Sequence, residues 1–162
     1  IRDRPSGTRL FFARATDDDG ATSNVPSTSV RINARPTIQQ FVITPSTVTQ
    51  PNTVTFSANN VADDGTVTRV AFFFDSNNNG TFEDGSDEVL GDGVRTGNDW
   101  SVSFQSSVFI PGTFTVFAIA QDNDTALSAP STASVTIAPA GRGIVPNGTS
   151  LGSPNFGPLP LP

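Results

Sequence analysis

From Thr53 onward the chain alternates apolar and polar side chains: Val54, Phe56 and Ala58 fall on one side, Thr55, Ser57 and Asn59 on the other. Trp100, Val102 and Phe104 repeat the pattern, as do Phe114, Val116, Ala118 and Ala120. A two-residue period puts successive side chains on opposite faces of a strand, so each run reads as a strand with one buried face. Clusters of Gly, Pro, Asn and Asp separate the runs and supply turns. Strands are expected at roughly 38–43, 53–58, 67–75, 82–90, 99–105, 113–121 and 132–138, and no helical period competes. Within the run Val70-Ala71-Phe72-Phe73-Phe74, the alternation turns Phe72 and Phe74 inward and leaves Phe73 partly exposed. The expected core is Phe56, Phe72, Phe74, Trp100, Val102, Phe104, Val116 and Ala118.

The pattern also occurs twice. GTRLFFARATDDDGATSNVPSTSVRI, residues 7–32, aligns without a gap on GTFTVFAIAQDNDTALSAPSTASVTI, residues 112–137, at an offset of 105 (112 − 7). Gly7, Phe12, Ala13, Ala15, Asp17, Asp19, Val30 and Ile32 all meet identical residues. Agreement through the acidic loop as well as the strands indicates one structural unit used twice, the first copy cut short. The expected organisation is residues 1–33 as the last two strands (F and G) of a preceding repeat, 34–36 as a linker, 37–138 as a complete sandwich, and 139–162 as a Pro/Gly-rich extended tail. Seven strands in about a hundred residues fit an immunoglobulin-like β-sandwich, an all-β fold. The inward face of the first copy would carry Phe11, Ala13, Ala15, Val30 and Ile32, which ought not to stand open to water.

Composition narrows the chemistry. The 162 residues carry a formal net charge of −6, and all nine basic residues are Arg. No basic cluster suggests nucleic acid and no run suggests a membrane span. Cys, His, Lys, Tyr and Met are absent. The usual general bases and nucleophiles, Cys-ligated metals and disulfides go with them, so no enzyme is expected. The missing Met predicts either a removed leader or a longer parent chain, and the half repeat favours the latter.

GTFTVFAIAQDND, DGTVTRVAFFFDSNNNGTFEDGSDEVLG and the start PTIQQFVITPSTV resemble the tandem immunoglobulin-like repeats of large bacterial surface proteins. The resemblance implies a non-enzymatic module of an extracellular rod, fibre or surface layer, with copies of itself or adjacent repeats as partners. Its rival is an adhesin or carbohydrate-binding accessory module of a secreted protein. A sugar platform needs an exposed aromatic ring, and alternation places Trp100 in the core. Such repeats carry a Tyr in strand F; here the position is Phe114, and Arg9 in the first copy.

Two acidic sets could bind calcium. Asp75, Asn77 and Asn79 alternate up to Gly80, as at the start of a calcium loop. The twelfth position is Ser86 in place of the closing Glu, which excludes a helix-loop-helix site but leaves a hairpin version closed by Asp87 or Glu88. Asp63 and Asp64 share one end of the sandwich with Asp122 and Asp124. Across a short linker, a preceding repeat would reach that cluster, where calcium is expected to stiffen the junction. The alternative in both places is an acidic turn that only solvates the loop. Asn79, Asn123 and Asn147 begin glycosylation sequons, a weak signal here. The tail has Arg142 as its only charge, yet carries Ile144, Val145, Leu151, Phe156, Leu159 and Leu161. That is more apolar than a free linker requires and suggests an intermolecular contact, along a neighbour's sheet edge or groove in a fibre.

Overall fold

A computed structural model describes residues 6–141. The expected tail therefore lies mostly outside the described residues. Eleven strands follow in order: β1 (Gly7–Phe12), β2 (Ser27–Ile32), β3 (Thr37–Thr44), β4 (Thr47–Thr49), β5 (Thr53–Ala62), β6 (Val67–Phe74), β7 (Glu88–Asp92), β8 (Val94–Thr96), β9 (Asp99–Gln105), β10 (Gly112–Asp122) and β11 (Ser131–Ala138). Nine of them form two sheets, ordered β4-β11-β10-β6-β7 and β3-β5-β9-β8, while β1 and β2 pair as a separate hairpin. The fold is an all-β sandwich of the expected class.

The alternating faces meet between the sheets. Phe56, Phe72 and Ala118 are fully buried, Val116 and Trp100 nearly so, and Val102 and Phe104 pack against them half-buried. Phe56 sits amid Phe72, Phe104 and Phe109, with ring centroids 6.1, 5.4 and 6.5 Å away. Phe74 faces inward at the open end of the layer, half-buried, its ring 5.1 Å from that of Phe114.

Two expectations need correction. Phe73, expected to be partly exposed, is 7% exposed. It does point to the outer face, but the segment after β6 folds back over that face. Phe82 then stacks edge-on against Phe73 at 4.8 Å and Phe117 at 5.8 Å, making a second, smaller core with Ala71 and Ile119. The strand expected at 82–90 consequently starts only at Glu88, because 75–87 is spent on that cover. The chain then changes sheet at Gly93, where a Cβ would lie 3.1 Å from both Phe72 and Trp100 atoms. The strand expected at 38–43 is β3, paired antiparallel with β5; β4, a short strand beyond those expected, follows Pro45 and Ser46 and pairs parallel with β11 in the other sheet.

The β1–β2 hairpin duplicates β10–β11. Gly7 opposes Ile32 and Phe12 opposes Ser27, as Gly112 opposes Ile137 and Phe117 opposes Thr132. The isolated bridge Thr16–Thr22 likewise matches Gln121–Leu127 at the same offset of 105 (121 − 16). Among the described residues, nothing covers the first hairpin as the sandwich covers the second. Val116 and Val135 are 1% and 3% exposed, whereas their equivalents Phe11 and Val30 are 48% and 50% exposed.

Candidate functional site

The end of the sandwich where β10 finishes is built from two loops and one carboxylate. Asp122 opens the β10–β11 loop and accepts from the backbone N–H groups of Asp124 and Ala126 through one oxygen, both at 2.8 Å. These bonds turn the chain, and Thr125 takes a positive φ of 68° to close it. Asp17 in the first hairpin keeps one of these bonds, accepting from Ala21 at 2.7 Å, with Gly20 at the left-handed position. Among the described residues, the second loop bonds a neighbouring loop. Asn123 bonds Thr66 in both directions, its N–H to the Thr66 carbonyl and its side-chain oxygen from the Thr66 N–H. The 62–67 loop is thereby fixed against it. Gly65 lies at the contact: a Cβ there would stand 2.7 Å from Asn123 Oδ1 and 3.0 Å from Arg31 Nη2.

Onto this end comes the exit of the preceding hairpin. Arg31, on β2, donates to Asp124 at 2.8 Å and reaches Asp64 at 3.4 Å. Asn33 donates to the second oxygen of Asp122 at 2.6 Å, and the Ala34 N–H donates to Asp64 at 3.2 Å. The structure thus brings Asp64, Asp122 and Asp124 to one surface, as the sequence suggests, and puts a guanidinium across two of them. Asp63 stays beside them, one of its oxygens accepting from Gly65 at 2.8 Å. The residues that sequence reasoning missed are Arg31 and Asn33. The available signal was their place just before the linker, where the second copy has Thr136 and Ala138.

Asp122 is 2% exposed. Burial alone would raise its pKa. The Asn33 amide, the backbone N–H groups of Ala126 and Asp124 and the charge of Arg31 outweigh that, and hold the carboxyl below its ordinary value of 3.8. A carboxyl whose pKa is lower folded than unfolded contributes stability above the unfolded value and loses it as pH falls through the folded value. The junction should therefore hold at neutral pH and loosen only below pH 3.8. The side-chain amide signal of Asn33, followed by NMR through an acid titration, checks this. A transition already complete near about pH 5 would contradict the assigned direction.

The other acidic set lies at the opposite end and is closed by hydrogen bonds. Asp75 and Asp87 are 3% and 6% exposed. Asp75 accepts from the backbone N–H groups of Asn79 and Gly80 at 3.1 and 2.8 Å, and Asp87 from those of Ser76 and Glu83 at 3.2 and 2.8 Å. Asn77 and Asn79 accept backbone N–H groups two residues on, and Asn77 also donates to Glu83. Asp75, Asn77, Asn79 and Asp87 are thus in one loop, whereas exposed Glu88 belongs to β7 and is paired with Phe74. Among the described residues no three acidic side chains are grouped as a metal site would need, at either end. In both places N–H donors or a guanidinium meet the carboxylates.

No protein-family model matches the sequence, and no curated protein resembles it in sequence. Solved β-sandwiches do resemble the fold. A fibronectin(III)-like module of CbhA from Clostridium thermocellum is 21% identical, over 63% of this chain and 98% of that one, with a TM-score of 0.46. A structure of carbohydrate-binding modules from the β-sandwich superfamily is 24% identical over 67% of this chain and 36% of that one, at 0.44. A superoxide reductase (neelaredoxin) from Ignicoccus hospitalis is 12% identical over 65% and 81%, at 0.40. Likenesses this remote carry no ligand or reaction across to this chain. No helix among the described residues is long and apolar enough to cross a membrane.

Proposed function

We propose that the chain is a non-enzymatic structural portion of an extracellular bacterial rod, fibre or surface layer, in which sandwich repeats are joined end to end through short polar junctions. One observation supports this best. The β1–β2 hairpin repeats β10–β11 pair for pair, and its exit residues Arg31, Asn33 and Ala34 bond the loop end of the following sandwich. Neighbouring modules on one chain move freely by default unless something holds their interface. Here a linker of three residues, 34–36, and four polar contacts do the holding. The open face of β1–β2 is covered, in this reading, by strands of the same kind as those that cover β10–β11, belonging to an adjacent repeat.

Electron microscopy of the native protein tests the proposal. Straight, periodic chains of modules are expected, and Arg31→Ala with Asn33→Ala should make them bend between modules. Compact, unconnected particles would overturn the structural reading. The rival, a sugar-binding or adhesive module, has less to support it, since Trp100 is 8% exposed and Arg95 lies over its ring. Specific binding on a glycan array would revive it.

Calcium enters this reading as a competitor of Arg31. The guanidinium already lies between Asp64 and Asp124, and a divalent cation beside it would be repelled. Excess calcium added to chelator-treated protein should leave the melting temperature where it was. A ligand that binds only the folded state must raise stability, so a rise of several degrees would show that an ion takes the guanidinium's place or enters the Asp75 loop.

A further inference from the structure

The segment that folds Phe82 over the outer core carries a reactive pair. Asn79 is followed by Gly80, the one Asn-Gly step among the described residues. Gly80 is there for geometry: its φ of 73° lies in the left-handed region, which a side chain would disfavour. The same lack of a side chain leaves its backbone nitrogen unhindered toward the side-chain amide of Asn79. Both residues are exposed, so water reaches them.

We infer that Asn79–Gly80 is a self-modification site and that buried Asp75 holds it shut. In the reaction the Gly80 nitrogen loses its proton to solvent and attacks Cγ of Asn79. A five-membered succinimide forms, the Cγ–Nδ2 bond breaks, and Nδ2 leaves as ammonia after taking a proton from water. Water then opens the ring at either carbonyl and leaves aspartate or isoaspartate. No electrons are exchanged, and water is the one co-reactant. Three contacts oppose the first step. The Gly80 N–H donates to Asp75 Oδ2 at 2.8 Å, and the Asn79 N–H donates to Asp75 Oδ1 at 3.1 Å. Asp75 is 3% exposed, so a poorly screened negative charge sits against the nitrogen that must itself become negative. The Asn79 side-chain oxygen accepts the Thr81 N–H at 2.7 Å, which ties the amide to Thr81. The loop must therefore open before it reacts, and the product cannot close as before. Aspartate adds a charge beside Asp75, while isoaspartate lengthens the backbone between the two N–H groups that Asp75 binds. Loss of this closure frees Phe82 from Phe73 and Phe117, so the modification runs one way and loosens the outer core. This inference does not depend on the array reading.

Mass spectrometry of the full chain tests it, with the protein kept folded or held in urea at mildly alkaline pH. The tryptic peptide from Val70 to Arg95 contains Asn79 and should gain the mass of an amide-to-acid change. A hydrogen bond to a charged acceptor shifts an opening equilibrium by about tenfold or more, so the unfolded chain should react at least that much faster. Asp75→Ala, with Trp100 fluorescence showing an intact core, should approach the unfolded rate. The modified chain, separated on an anion exchanger by its extra charge, should exchange its Gly80 amide faster than the native chain. Four outcomes would each overturn the inference. They are no product from the unfolded chain, equal rates folded and unfolded, Asp75→Ala as slow as wild type, and a Gly80 amide still protected after modification.

Discussion

Phe56→Ala should cost the sandwich about 3–5 kcal/mol, the range for removing a large aromatic side chain from a core that cannot collapse around the gap. Phe56 is fully buried and joins Phe72, Phe104 and Phe109 across both sheets, so no single strand can shift to fill its place. For a domain of this size the melting temperature should fall by about 12 °C or more. Against a typical domain stability of about 5–15 kcal/mol, that is about a fifth or more of the total. Trp100, the only tryptophan, is buried in the same cluster and reports the transition without a label. A loss under about 1 kcal/mol in urea denaturation would mean that Phe56 is not where the register of β5 with β9 puts it.

The second large effect belongs to Asp75→Ala. Its two oxygens accept separate backbone N–H groups in a buried setting, and bonds to a charged acceptor contribute about 1.5–3 kcal/mol each. The freed N–H groups of Asn79 and Gly80 regain water if the loop opens, so the net cost should be about 2–4 kcal/mol. Opening also lifts Phe82 from Phe73 and Phe117, so the damage should spread to the outer core. Asp75→Asn keeps one acceptor oxygen and should fall between wild type and Ala. Hydrogen exchange gives the local readout: the amides of Asn79 and Gly80 should lose protection first. If they stay protected in Asp75→Ala, the carboxylate does not organise the loop.

Alternation made the inner core legible, because a two-residue period fixes which side chains share a face. Phe56, Phe72, Trp100 and Val116 follow from it directly. Period alone could not say what lies over the other face, which is why Phe73 was expected to be partly exposed. Phe82 comes from a loop of no regular period, and only the closure of that loop on Asp75 and Asp87 brings it over the sheet. The short strand β4 was not legible for a similar reason, since three residues after Pro45 and Ser46, with Val48 as their one apolar side chain, are too few to show a period. At the junction the acids were visible as Asp pairs in turns. Their partner was not: Arg31 lies in the alternating run of β2 and reads there as an ordinary outward residue. Its contact with Asp124 spans 93 positions of sequence, and it forms because the linker is short.

Two copies of one hairpin on one chain also raise the danger of a wrong marriage during folding, in which β1–β2 takes the berth meant for β10–β11. Repeated modules are prone to such exchanges. Most of the first copy would fit, since Ala13, Ala15, Val30 and Ile32 are identical to their counterparts. Arg9 and Arg14 would not. They would stand where Phe114 closes the end of the core and where Ile119, 5% exposed, lies in the outer one. Taking an arginine partly out of water at positions shaped for a ring and an aliphatic side chain costs more than an apolar mismatch. Two charges thus weigh against the related copies trading places.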